Sequence, residues 1–207
     1  MTQNNKKEKW VYKYDKNYPC EYEITKVRYV LGEEFKPSIE KALVCIGVNP
    51  STAIPKRLDA TLKRIQDYAK GKYDAWYMLN IYPQRATNPN EMDKEINKDI
   101  HSKNLEHIQK LMTNLPSADI WCAWGANVAR KDKPYLKECL KEIKDTVDNI
   151  EKMENKSFNY VSEKRKGKID KEIMVDGKLK HPLHPISSVE KEKGLSEFKI
   201  EKYLENL

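Results

Sequence analysis

Three short, almost wholly apolar runs constrain this chain more than any other feature: residues 42–48 (ALVCIGV), 75–81 (AWYMLNI) and 118–124 (ADIWCAW). A strand with one wet face alternates apolar and polar residues, so runs like these fit strands covered on both faces. Around them the apolar residues take helical spacing instead. Leu58, Leu62, Ile65 and Ala69 precede Lys70-Gly71, a C-terminal stop; Ile96, Ile100, Ile108, Leu111 and Leu115 follow; then come Leu136, Leu140, Ile143, Val147 and Ile150. Strand and helix in alternation predict an α/β protein, with a mainly parallel sheet and helices on both faces.

The rest of the chain is more polar. Residues 1–20 read as a polar N-terminal tail or a surface strand, and residues 22–31 (YEITKVRYVL) alternate as a strand that Gly32 ends. Residues 21–207 read as a single domain, with a charged insertion projecting at about 151–180. Within it, Asp176-Gly177 is a hairpin signal between Ile173-Met174-Val175 and Leu179. A last helix is expected over about 195–204.

Composition narrows the function classes. At 207 residues the chain can bury one full core, and 39 Lys and Arg against 32 Asp and Glu leave a charge of +7 that favours a polyanionic partner. There is no apolar run of the ~20 residues a membrane span needs, and the start MTQNNKKEK lacks a signal's apolar stretch, so a cytoplasmic protein is expected. Cys20, Cys45, Cys122 and Cys139 show no CxxC spacing, and His101, His107, His181 and His184 show no HExxH arrangement. Neither a disulfide framework nor a metal site is expected.

In a parallel sheet the ligand sits outside the carboxyl ends of the strands, where loops converge and helix N-termini direct N–H groups. Three polar signatures fall at that edge: Gly47-Val48-Asn49-Pro50-Ser51, Leu79-Asn80, and His184-Pro185-Ile186-Ser187-Ser188. Each also has a structural reading: a tight turn, a helix cap from Ser51 or Thr52, a rigid His-Pro loop. Asn80 is the most demanding, because a buried amide costs about 1–3 kcal/mol unless its donor and acceptor are both paired. Its carbonyl oxygen and two N–H hydrogens suit the edge of a pyrimidine.

These motifs, with Trp76-Tyr77-Met78-Leu79-Asn80 and Trp121-Cys122-Ala123-Trp124-Gly125-Ala126-Asn127-Val128-Ala129 between them, resemble the uracil-DNA glycosylase superfamily in kind and order. Arg28-Tyr29-Val30-Leu31-Gly32, the Asn-Pro-Ser-Thr turn, Arg85-Ala86-Thr87 and His181-Pro182-Leu183 resemble more closely a bacterial and phage family known only as a domain of unknown function, over about residues 28–200. The superfamily resemblance implies a three-layer α/β/α fold around a central, mainly parallel four-stranded sheet. It implies that Asn49 holds the attacking water, that Asn80 reads the base beside Gly47, and that His184 bonds the departing base. Ser51, Thr52, Ser187 and Ser188 fall where DNA phosphates are gripped.

The expected activity is therefore hydrolysis of the N-glycosidic bond of a damaged or hypermodified pyrimidine in DNA, in repair or phage defence, by a monomer without cofactor. Asn49 replaces the carboxylate of the fastest superfamily members, and an amide is no base, so water would be positioned rather than deprotonated. Asp59 is the nearest spare carboxylate, with an ordinary helix-start role as its alternative. Tyr82 and Trp76 are candidates for the aromatic that stacks on the base. Arg85 could meet a phosphate or a base substituent, and Lys164, Arg165 and Lys166 could grip the DNA backbone. Two alternatives carry a different chemistry: a non-catalytic nucleic-acid or nucleotide binding module, and a hydrolase of a free nucleotide or nucleoside.

Overall fold

A computed structural model describes residues 9–15, 26–165, 174–175, 178–187 and 191–207. In chain order its elements are β1 (Lys9–Tyr14), β2 (Arg28–Glu34), β3 (Ala42–Gly47), α1 (Ala60–Ala69), β4 (Ala75–Asn80), α2 (Lys98–Asn114), β5 (Ala118–Cys122), α3 (Tyr135–Glu154), β6 (Phe158–Arg165), β7 (Met174–Val175), β8 (Lys178–Leu179), β9 (Lys191–Glu197) and α4 (Ile200–Glu205). Seven strands form one mixed sheet in the order β1-β2-β4-β3-β5-β6-β9. The β4–β3, β3–β5 and β5–β6 pairs are parallel, and the β1–β2, β2–β4 and β6–β9 pairs antiparallel. The expected four-stranded, mainly parallel sheet is thus too small, and only its interior pairs are parallel.

The three apolar runs are the interior strands β3, β4 and β5. Every residue of β3 and β4 is buried, as covering on both faces requires. Alternate side chains feed two separate clusters. Leu43, Cys45, Trp76, Met78 and Trp121 meet Leu62, Ile65 and Ala69 of α1, while Val44, Ile46, Leu79 and Ile120 meet α2 and α3 through Ile108, Met112, Leu136, Leu140 and Ile143. Each large aliphatic side chain buried this way contributes roughly 1.5–3 kcal/mol.

Residues 9–14, expected in a tail or surface strand, form the edge strand β1 on β2, the second of these readings. Three expectations are corrected. Gly32 lies inside β2 rather than ending it: a Cβ there would stand 2.4 Å from the Trp76 carbonyl oxygen, so glycine is what lets β2 and β4 approach. Residues 158–165, assigned to a projecting insertion, pair with β5 as β6. Residues 191–197, partly assigned to the last helix, pair with β6 as β9, and α4 begins only at Ile200. Met174-Val175 does pair with Lys178-Leu179, as the hairpin signal predicts, although Asp176 and Gly177 lie outside the described residues.

Asp74 ties the end of the α1–β4 loop to the start of β3. Its Oδ2 accepts from the Glu40 and Lys41 N–H groups at 3.0 Å each, and Lys36 pairs with its other oxygen. The Lys36 bond, then the backbone N–H groups, hold its pKa down at about 2. A carboxylate depressed in the folded state stabilises it above the ordinary carboxylate range and stops doing so as pH falls through the depressed value. The melting midpoint should therefore drop between about pH 4 and pH 2, and Asp74→Asn should flatten that limb in a calorimetric pH series.

Candidate functional site

A cavity of about 380 Å³ opens at the carboxyl ends of β3 and β4, on the face covered by α1. This volume falls in the class of small-molecule pockets. Gly47, Val48 and Asn49 from the end of β3, Asp59, Thr61 and Leu62 from the start of α1, and His184 and Ile186 from the last loop all line it. Segments far apart in sequence therefore meet where the alternation of strands and helices predicts a ligand.

Asn80 lies behind this wall. It pairs in register with Gly47, is 0% exposed, and its Nδ2 sits 3.2 Å from where a Gly47 Cβ would stand. The missing side chain at Gly47 makes room for this amide, and for the Met78 methyl, directly behind the cavity wall. Arg28 Nη2 donates to Asn80 Oδ1 at 3.5 Å, and Arg28 Nη1 to the Ala53 carbonyl at 3.1 Å. Arg28 lines the cavity although only 1% of it is exposed. Burial, reinforced by the charge of Arg85 and opposed by Asp59, brings its pKa down to about 9, so it is a cation at neutral pH.

The loop after β3 is held by its own polar side chains. Asn49 Nδ2 donates to the Ala86 carbonyl at 2.8 Å and the Pro50 carbonyl at 3.2 Å. Two carbonyl acceptors fix which end of the amide is nitrogen and turn its donors to the loop, leaving Oδ1 as the end with acceptor capacity for a ligand or water. Asp59 caps α1 by accepting from the Leu62 N–H at 2.8 Å, and its other oxygen accepts from the Ser51 hydroxyl. The Ser51 proton is thus directed at Asp59. Arg85 braces the same loop from below, donating to the Ser51 and Ala53 carbonyls and, at 2.7 Å, to the Tyr12 hydroxyl. It is a strut in this structure and is not among the residues that line the cavity.

His184 stands exposed at the rim. The Ile186 N–H donates to its Nδ1 at 3.4 Å, so the neutral ring carries its proton on Nε2. The loop is anchored from α4: Tyr203 O–H meets His181 Nδ1 at 2.7 Å and accepts from Trp124 Nε1 at 3.3 Å. Trp124 also lines the cavity and is its one large aromatic surface among the described residues.

Other candidates go elsewhere. Tyr82 is fully buried, with its hydroxyl accepting from the Asn97 N–H at 2.8 Å and its ring edge-on to Tyr135; Trp76 is likewise core and donates to Glu33. Neither is among the cavity's lining residues, which corrects both as stacking candidates. Thr52 is exposed, and Ser187, partly buried, donates its N–H to the His184 carbonyl; neither lines the cavity. Lys164 and Arg165 lie at the end of β6, and Lys166 and Ser188 lie outside the described residues. Sequence reasoning missed Arg28, Trp124, Thr87 and Asn127, which all line the cavity. An arginine in an alternating strand and a tryptophan in an apolar run read as surface and core, so only the fold identifies them.

The described residues hold no group of three metal-ligating side chains and no helix long and apolar enough to cross a membrane. Burial pushes the Cys45 and Cys122 thiols well above their usual range, so neither supplies a thiolate. No curated protein and no solved structure matches the chain. A family model described as a protein of unknown function (DUF1643) matches residues 28–186, from Arg28 at the cavity floor to Ile186 at its rim, and the chain belongs to that family.

Proposed function

We propose that the cavity is the base pocket of a DNA N-glycosylase, which takes a damaged or hypermodified pyrimidine nucleotide out of its strand and hydrolyses the bond from base to sugar. One observation carries this reading: Asn49 and His184 line a single cavity, and Asn80 lies directly behind its Gly47 wall. The likeness of the four motifs to the uracil-DNA glycosylase superfamily points the same way.

As the C1′–N bond breaks, its electron pair goes to the base and positive charge develops on the sugar. His184 Nε2–H would donate to a base oxygen and stabilise the leaving anion. Asn49 Oδ1 would hold the water whose oxygen bonds to C1′, and the released proton passes to solvent or to the departing base. Asp59, held by its cap and by Ser51, would be a fixed negative charge near the cationic sugar. Trp124 would offer the base an apolar face, with Ser187, Ser188 and the Lys164–Lys166 run as contacts to the strand.

The test is a panel of DNA oligomers, each carrying one altered pyrimidine, incubated with the protein and then treated with alkali. Strand cleavage at one altered base, with release of that base, is the expected result. A mobility shift without cleavage would make the protein a binding module, and hydrolysis confined to free nucleosides or nucleotides would make it a different hydrolase.

A further inference from the structure

Two hydrogen-bond donors at the cavity, one on a lining residue and one behind its Gly47 wall, have no partner among the described residues: Arg28 Nε–H and the Asn80 Nδ2 amide. Both belong to side chains that are 1% exposed or less. Buried polar groups are nearly always paired, so two orphans side by side need an explanation. They are neighbours because Arg28 Nη2 donates to Asn80 Oδ1, and that contact also fixes the orientation of the amide. Turning the amide over would set its N–H groups against a guanidinium that has only donors. The oxygen of Asn80 is therefore turned to Arg28, and the end of the amide without a partner is its N–H group. Only Gly47, which carries no side chain, and the movable end of Met78 stand between that N–H and the cavity wall.

We propose that the floor of the cavity reads an edge made only of acceptors, so that the base taken is a cytosine-type pyrimidine, whose N3 and O2 both accept, and not a uracil-type one. This rests on the glycosylase reading and narrows it. The N3–H of uracil or thymine would face a donor and lose its bond to water without replacement. An unprotonated N3 accepts from the Asn80 amide, and the neighbouring positive charge of Arg28 keeps that nitrogen unprotonated. A site built around paired polar groups discriminates most strongly when a mismatch leaves one of them unpaired.

The experiment compares two single-stranded oligomers that differ only at C4 and N3 of one base: 5-hydroxymethylcytosine and 5-hydroxymethyluracil. Affinity by fluorescence anisotropy and excision by alkaline cleavage are both read. A preference of at least tenfold for the cytosine member is expected in the wild-type protein. Arg28→Met removes the group that pins the amide, so the preference should fall to within about twofold or reverse, with folding checked by the melting midpoint. The wild-type comparison decides the matter even if that variant does not fold. Equal or better handling of the uracil member overturns this inference and leaves the glycosylase reading standing. If neither base is released or preferred, and inorganic phosphate alone raises the melting midpoint, the floor holds an anion and both readings fall.

Discussion

A His184→Ala variant is expected to fold as the wild type does and to release base about a hundredfold more slowly or worse. The side chain is exposed, with its Nδ1 accepting from the Ile186 N–H at 3.4 Å, and substitutions at exposed positions cost little stability. Its chemical cost is larger, because that bond leaves Nε2–H as the ring's donor at the rim of the cavity. Removing a single donor aimed at charge that develops in the transition state slows enzymes by about 10²–10³. Single-turnover excision at saturating protein is the measurement, since it isolates bond breaking from DNA binding. His184→Gln keeps an N–H at a similar reach on a more flexible side chain and should recover part of the rate. A single-turnover rate within twofold of wild type for His184→Ala would remove the histidine from the reaction.

The interior of the fold is legible in the sequence, and its margins are not. Strands β3, β4 and β5 announce themselves because each is covered on both faces, and that demand is met residue by residue within a short window. Strands β1, β6 and β9 lie at or beside the sheet's edges, where one face can stay polar. In β6 the sequence FNYVSEKR reads as part of a charged segment, and buried Glu163 gives no local sign of its partner, Arg64, on α1. The same divide runs through the site. Asn80 stands out as a polar residue in an apolar strand, and Asp59 as a helix start. Arg28 does not stand out, because what buries it is a pairing with Asn80 and with the Ala53 carbonyl, from segments the sequence does not connect. Tyr82 misleads in the opposite sense: it follows the predicted strand and reads as loop. Yet the backbone goes on pairing through Ile81 N–H to Gly47 O and Tyr82 N–H to Val48 O, and the ring ends in the core.

Gly47→Val should abolish base release, by more than a hundredfold, while leaving a folded protein. A Cβ at this position would lie 2.6 Å from Met78 Cε and 3.2 Å from Asn80 Nδ2. The first contact is with the free end of a flexible methionine, which can move aside; the second is with an amide held by Arg28, which cannot move without losing that bond. Overpacking of this kind costs about 1–3 kcal/mol, which a domain of this size registers as a drop of several degrees in melting midpoint. The added methyl groups would meanwhile cover the amide and occupy the wall of the cavity where a base would lie. Gly47→Ala adds one carbon and should fall between the two, which keeps the test usable if valine prevents folding. The two readouts separate the causes: a glycine needed only for packing shifts the melting midpoint and leaves excision per folded molecule intact. A glycine that keeps the pocket open loses excision and affinity for the altered base together, and normal excision by a folded Gly47→Val protein would place the chemistry outside this cavity.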